Sequence, residues 1–128
     1  MGSFEGKTVL ITGAGRAVLS DGKCGSIGYG IATAFAKEGA NLVLTGRNVS
    51  KLESAKKELD KNDNEAAVCH VMDEIKKTFG RLDVLIDNAQ ASASGVPLKD
   101  NTTEQLNLAL YSGLYATFYY RKHAYPLL

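Results

Sequence analysis

Gly13, Gly15, Gly22, Gly25, Gly28 and Gly30 crowd one short stretch of the chain. Glycine at this density lets a backbone turn sharply and bring bare N–H groups against an anion. The chemistry this suits is the holding of a diphosphate. Two cations could assist. Arg16 stands inside the run, and Arg47 stands in Thr45-Gly46-Arg47-Asn48. A guanidinium gives a phosphate a bidentate, charge-assisted contact; the competing reading of Arg47 is an exposed residue at a helix entry. Ser92 and Ser94 offer hydroxyls in a small-residue loop, although such residues are also what a loop needs. Cys24 and Cys69 lie far apart and form no CxxC pair, which marks them as buried or idle thiols. His70 and His123 have no partner at ligand spacing and read as surface or helix-flank residues, so no metal site is expected.

The elements that must position these groups follow from periodicity. Thr8 to Thr12 is β-branched and apolar without polar alternation, as a strand buried on both faces should be. Beyond the glycines, Ile27, Ile31, Ala34 and Phe35 recur at helical spacing, so a helix begins near Ser26 and stops at Gly39. Asn41 to Thr45 is a second buried-type strand, and Ser50 to Leu59 a charged helix. Asn62 and Glu65 have capping-box spacing before a helix from about Glu65 to Phe79, whose stripe is Val68, Val71, Met72, Ile75 and Phe79. Leu82 to Asp87 is a third strand, and Asn88 to Asp100 a loop. Thr102 or Thr103 caps a last helix running to about Lys122, with Pro126 as its stop. That helix carries two apolar stripes, Leu106-Leu110-Leu114-Phe118 and Leu108-Tyr111-Tyr115-Tyr119, which predicts cover on two sides. Strand, glycine-rich turn, helix, strand is the order of a nucleotide-binding β-α-β unit.

The bulk properties exclude other classes. With 128 residues, the chain suffices for one domain over 1–128, and a formal charge of +1 makes no case for nucleic acid or a membrane surface. No apolar run approaches the ~18 residues of a membrane span, and the N-terminus has no signal-peptide apolar region. Met1-Gly2 opens like a myristoylation site, but Gly6 sits where a hydroxyl is wanted. A soluble, cytoplasmic protein is expected.

Two separated segments carry a specific likeness. Lys7-Thr8-Val9-Leu10-Ile11-Thr12-Gly13-Ala14-Gly15-Arg16 resembles the first strand and turn of short-chain dehydrogenases/reductases. Phe79-Gly80-Arg81-Leu82-Asp83-Val84-Leu85-Ile86-Asp87-Asn88-Ala89-Gln90 resembles their fourth strand with its Asn-Asn-Ala-Gly signature. The resemblance runs from about Phe4 to the C-terminus. It implies an α/β fold: a truncated Rossmann, or doubly wound, parallel sheet with helices on both faces. It also implies a nicotinamide dinucleotide held by Gly13, Gly15, Arg16, Ser26, Ile27, Arg47, Asn88 and Ala89. Asn88 reads as a tie between neighbouring strands. An acid after the second strand would bind the ribose 2′-hydroxyl of NAD, whereas Arg47 suits the 2′-phosphate of NADP, so NADP is expected over NAD.

The departures shape the expected function. Roughly nine extra residues, Ala17 to Gly25, interrupt the family's compact glycine motif, as a flap over the phosphates or a tolerated surface excursion. Ser26-Ile27-Gly28-Tyr29-Gly30-Ile31-Ala32 then resembles the divergent enoyl-thioester reductase branch. Asp60 to Asp63 is too short to hold the family's third strand, so the strand order, in family numbering, is 2-1-4 with the third deleted. The family's Tyr-x-x-x-Lys pair lets lysine tune the phenol as acid or base. No Tyr here has Lys four residues on, and the family's assisting Asn aligns with Gly113. Tyr115 and Lys122 match the enoyl-reductase Tyr-x6-Lys spacing, but on the wrong helix. No catalytic residue is therefore expected. The resemblance implies hydride transfer to a carbonyl or enoyl group in the family; the alternatives for this chain are a non-catalytic nucleotide-binding or interaction fragment, or a degraded reading frame. It also implies a homo-oligomer through the helix 103–122.

Overall fold

A computed structural model of the chain describes residues 2–13, 27–45, 65–89 and 95–128. Its elements are β1 (Thr8–Ile11), α1 (Ile27–Lys37), β2 (Asn41–Leu44), α2 (Glu65–Phe79), β3 (Val84–Ile86), α3 (Thr103–Ala109), a π-helical segment (Leu110–Tyr115) and α4 (Ala116–Ala124), with 3-10 turns at Leu98–Asp100 and Tyr125–Leu127. The sheet is parallel in the order β2-β1-β3, with Leu10 level with Val43 on one side and Leu85 on the other. This is the 2-1-4 order read from the sequence, renumbered along the chain. Among the described residues no strand flanks β2 on its outer side. The helix expected from Ser50 to Leu59 and the cap at Asn62 lie outside the described residues.

Alternation along β1 divides the core in two, because successive side chains point to opposite faces. Leu10 packs with Val68, Met72, Ile75, Leu82, Ala116, Tyr120 and Ala124. Val9 and Ile11 pack with Ala32, Ile31, Phe35, Leu42, Val84 and Ile86 on the opposite face. All of β1 is fully buried, which is why its sequence is continuously apolar or β-branched. Gly39, at φ +83°, ends α1 in the left-handed conformation that glycine adopts without strain. At the amino end of the sheet, Asp83 Oδ2 accepts from Thr8 N at 2.8 Å and from Arg81 Nε at 2.9 Å. The Arg81 guanidinium, and then the Thr8 amide, hold the Asp83 carboxyl below its ordinary value.

The helix faces differ in part from the periodic reading. On α1 the sheet-facing residues are Gly28 and Ala32, with Ile31 and Phe35 beside them; Ile27 is 77% exposed and Ala34 is also exposed. The expected single last helix is interrupted by the π segment, where Ala116 N donates to Tyr111 O five residues back. Within the segment Ser112 Oγ donates to Leu108 O at 2.7 Å, a back-bond of the kind that bends helices. The inserted residue re-aims the helix. Ser112, Ala116, Tyr120 and Ala124 face inward, while Leu106, Tyr111, Leu114, Tyr115 and Phe118 of the two expected stripes are exposed. Ala116, Tyr120 and Ala124 pack with Val68, Met72 and Ile75 of α2, and most of the larger stripes are left in solvent. Of the two cap candidates it is Thr102 that caps α3, in a capping box with Gln105.

Candidate functional site

The carboxyl ends of β1 and β3 meet at one hydroxyl. Thr12 Oγ1 accepts from both Asn88 N and Ala89 N at 3.0 Å, and lies 3.4 Å from Ile86 O, to which it donates. Thr12 N donates to Ile86 O, which carries the pairing one residue past the strand. The Asn88 side chain closes the cluster: Nδ2 donates to Gly13 O at 3.0 Å. Asn88 therefore ties the two strand ends together.

Gly13 is demanded twice over. Its φ is +66°, and a Cβ built on it would stand 2.7 Å from Ala89 Cα, where no side chain fits. The close approach brings the turn after β1 directly onto the turn after β3. Asp87, just beyond β3, accepts from Arg121 Nε of α4 at 3.0 Å through Oδ2, while its buried Oδ1 has no hydrogen-bond partner among the described residues.

These contacts lie at a topological switch point. From β1 the chain crosses through α1 to β2 on one side, whereas β3 lies on the other, so the connections diverge above the cleft between β1 and β3. In open α/β sheets that cleft, at the carboxyl edge, is where ligands bind. Because β1 and β2 are parallel, α1 starts at this same edge, and its first N–H groups have no intrahelical partner.

Of the residues singled out in the sequence, Gly13, Asn88 and Ala89 are brought together, and Ile27 opens α1 with its side chain in solvent. Gly15, Arg16, Ser26 and Arg47 lie outside the described residues, as do Cys24, Ser92 and Ser94. Thr12 was missed as a member of the cluster. Its signal was a hydroxyl immediately before the first glycine, but nothing local shows that its partners are 76 and 77 residues away. Among the described residues, no group of three or more His, Cys, Asp or Glu side chains is arranged to hold a metal.

The family described as enoyl-(acyl carrier protein) reductase matches residues 22–128. The chain is 49% identical to a 12alpha-hydroxysteroid dehydrogenase of Clostridium sp., covering all of this chain and 53% of that enzyme. The chain belongs to the short-chain dehydrogenase/reductase family. A solved family member from Burkholderia xenovorans superposes with a TM-score of 0.79 at 25% identity, over 99% of this chain and 51% of the other. An ElxO structure with NADPH bound superposes with a TM-score of 0.70 at 26% identity, over 94% of this chain and 49% of that one. The chain thus spans about half the length of the curated family members it matches. The alignment with the Clostridium enzyme runs over 144 positions against 128 residues here, so at least 16 positions of that family member have no counterpart.

Proposed function

We propose that this chain is the NADP-binding half of a short-chain dehydrogenase/reductase and that these 128 residues bind the dinucleotide without turning over a substrate. The Gly13–Ala89 contact carries the reading, because it leaves room only for bare backbone where the turns after β1 and β3 meet at the switch point of the sheet. On this reading Gly13 and Gly15 bring backbone to the diphosphate, and Ser26 and Ile27 present the first amides of α1 to it. Arg16 and Arg47 take the 2′-phosphate. Asn88 and Ala89 form the floor against which the cofactor is held. When bound, the nicotinamide supplies hydride-transfer chemistry; the residues here orient it and hold the strand ends rigid.

The absence of any Tyr followed by Lys four residues later supports a binding role without turnover. For the enzyme whose half this is, carbonyl–alcohol chemistry is favoured over enoyl reduction. The 49% identity with a hydroxysteroid dehydrogenase is the observation behind that preference. The positions missing from the alignment agree with deletion of the family's third strand, which would leave β2 at an edge. No helix among the described residues is long and apolar enough to cross a membrane, and we place the protein in the cytoplasm. The exposed Leu114, Tyr115 and Phe118 support a homo-oligomer through residues 103–122.

Calorimetric titration with NADPH and NADH tests the reading. Heat with NADPH, weaker heat with NADH and a loss of at least about tenfold for NADPH in Arg47→Ala are expected, since a charge-assisted contact contributes about 1.5–3 kcal/mol. No heat from folded protein with either nucleotide overturns nucleotide binding. Oxidation of NADPH with a ketone panel by this chain alone overturns the non-catalytic part.

A further inference from the structure

Where α2 packs against α4, four chemically active side chains meet that belong to no part of the nucleotide cluster. Glu65 Oε1 accepts from Lys122 Nζ at 2.7 Å and lies 2.8 Å from His123 Nε2. Cys69, one helical turn beyond Glu65, places Sγ 3.6 Å from both ring nitrogens of His123. The sequence had left His123 as a surface or helix-flank residue with no partner at ligand spacing and Cys69 among buried or idle thiols. Packing of two helices distant in the chain gives His123 partners that spacing did not show, and the thiol is only partly buried.

The order of contacts assigns the imidazole. A carboxylate accepts, so Nε2 carries the proton toward Glu65 and Nδ1 keeps its lone pair. Sγ lies equally far from Nδ1 and Nε2, so bringing the S–H in line with Nδ1 takes a rotation of the imidazole or of the Cys69 side chain. Lys122 occupies the same carboxylate oxygen, which anchors Glu65. Metal binding is a poor use of the trio: Glu65 and His123 bond one another instead of converging on a common point.

We propose that Cys69 is a modifiable thiol with His123 as its general base and Glu65 as the residue that positions the base, and that its reagents are low-molecular-weight disulfides. Cys69 Sγ attacks one sulfur of the disulfide while its proton passes to His123 Nδ1. A new S–S bond forms, the reagent's own S–S bond breaks, and the departing sulfur leaves with the electron pair and takes the proton from His123. Cys69 is oxidised to a mixed disulfide, and half of the reagent is reduced to a thiol. Redox-active thiols of this kind need a base beside a sulfur that a reagent can reach; Cys69 is only partly buried and His123 is its neighbour.

The test uses the full chain with Cys24→Ser, so that a single thiol remains, and an aromatic disulfide whose released thiolate is coloured. Rates are followed from about pH 6 to about pH 10, and intact mass confirms one adduct. General-base help of the usual size predicts that His123→Gln lowers the rate at neutral pH by at least about tenfold. Near pH 10, where an ordinary thiol ionises unaided, the two rates should converge. Glu65→Gln should give a smaller loss in the same direction, and it serves if His123→Gln does not fold. Any one of three results overturns the proposal: no adduct on native protein, a variant rate equal to or above the parent at neutral pH, or a loss that is the same at every pH.

Discussion

Replacing Gly13 with alanine separates a backbone requirement from a packing requirement. The φ of +66° costs an L-residue roughly 1–2 kcal/mol. The added Cβ would also lie 2.7 Å from Ala89 Cα, and relieving such overpacking typically costs about 1–3 kcal/mol more. Gly80 provides the control, since its φ is +71° but a Cβ there meets nothing within 4 Å. Gly80→Ala should therefore lose only the dihedral part. With a urea slope near 2 kcal/mol/M, the midpoint should fall by about 1–2.5 M for Gly13→Ala and about 0.5–1 M for Gly80→Ala. Because the nearest atom to the new Cβ is backbone, Ala89→Gly should restore little of the loss. Equal midpoints for the two variants would refute the claim that the close approach of the two turns demands glycine at position 13.

Other expectations rest on separate contacts. Thr12→Val keeps the shape but strips the acceptor shared by the Asn88 and Ala89 amides; a loss of about 2–4 kcal/mol and faster hydrogen exchange at those two amides should follow, with Thr12→Ser near the parent. Asp83 is held below the ordinary aspartate value of 3.8, so its stabilising contact is complete above that value and disappears as pH falls through the lower folded value. The stability difference between parent and Asp83→Asn in urea melts should accordingly be constant above about pH 5 and shrink below it. Light scattering should show self-association that Leu114→Lys with Tyr115→Glu abolishes; a monomeric parent would count against the helical interface.

Much of the fold was legible because it rests on local rules. The continuous apolar run Thr8–Ile11 announced a strand buried on both faces, and the stripe through Val68, Met72 and Ile75 announced α2 with the bounds the structure shows. The strand order followed once two separated segments had been matched to one family. Less legible was the rotation of the last helix. Leu106, Leu114 and Phe118 looked like a core face, yet after the π segment at Leu110–Tyr115 it is Ala116, Tyr120 and Ala124 that face inward. Periodicity assumes an unbroken helical count, and a π turn changes it.

At the candidate site the division is the same. Gly13 stood out by its place in a glycine-rich turn after a buried strand, and Asn88 by the likeness of its segment to the family's Asn-Asn-Ala-Gly signature. That Thr12 binds both amides after β3, that Gly13 rests on Ala89 Cα, and that Cys69 faces His123 and Glu65 were decided by tertiary structure. These pairs stand 54 or more residues apart in the chain. Spacing along a chain carries no record of which distant surfaces come into register; only the packing of helices and strands upon each other sets those distances.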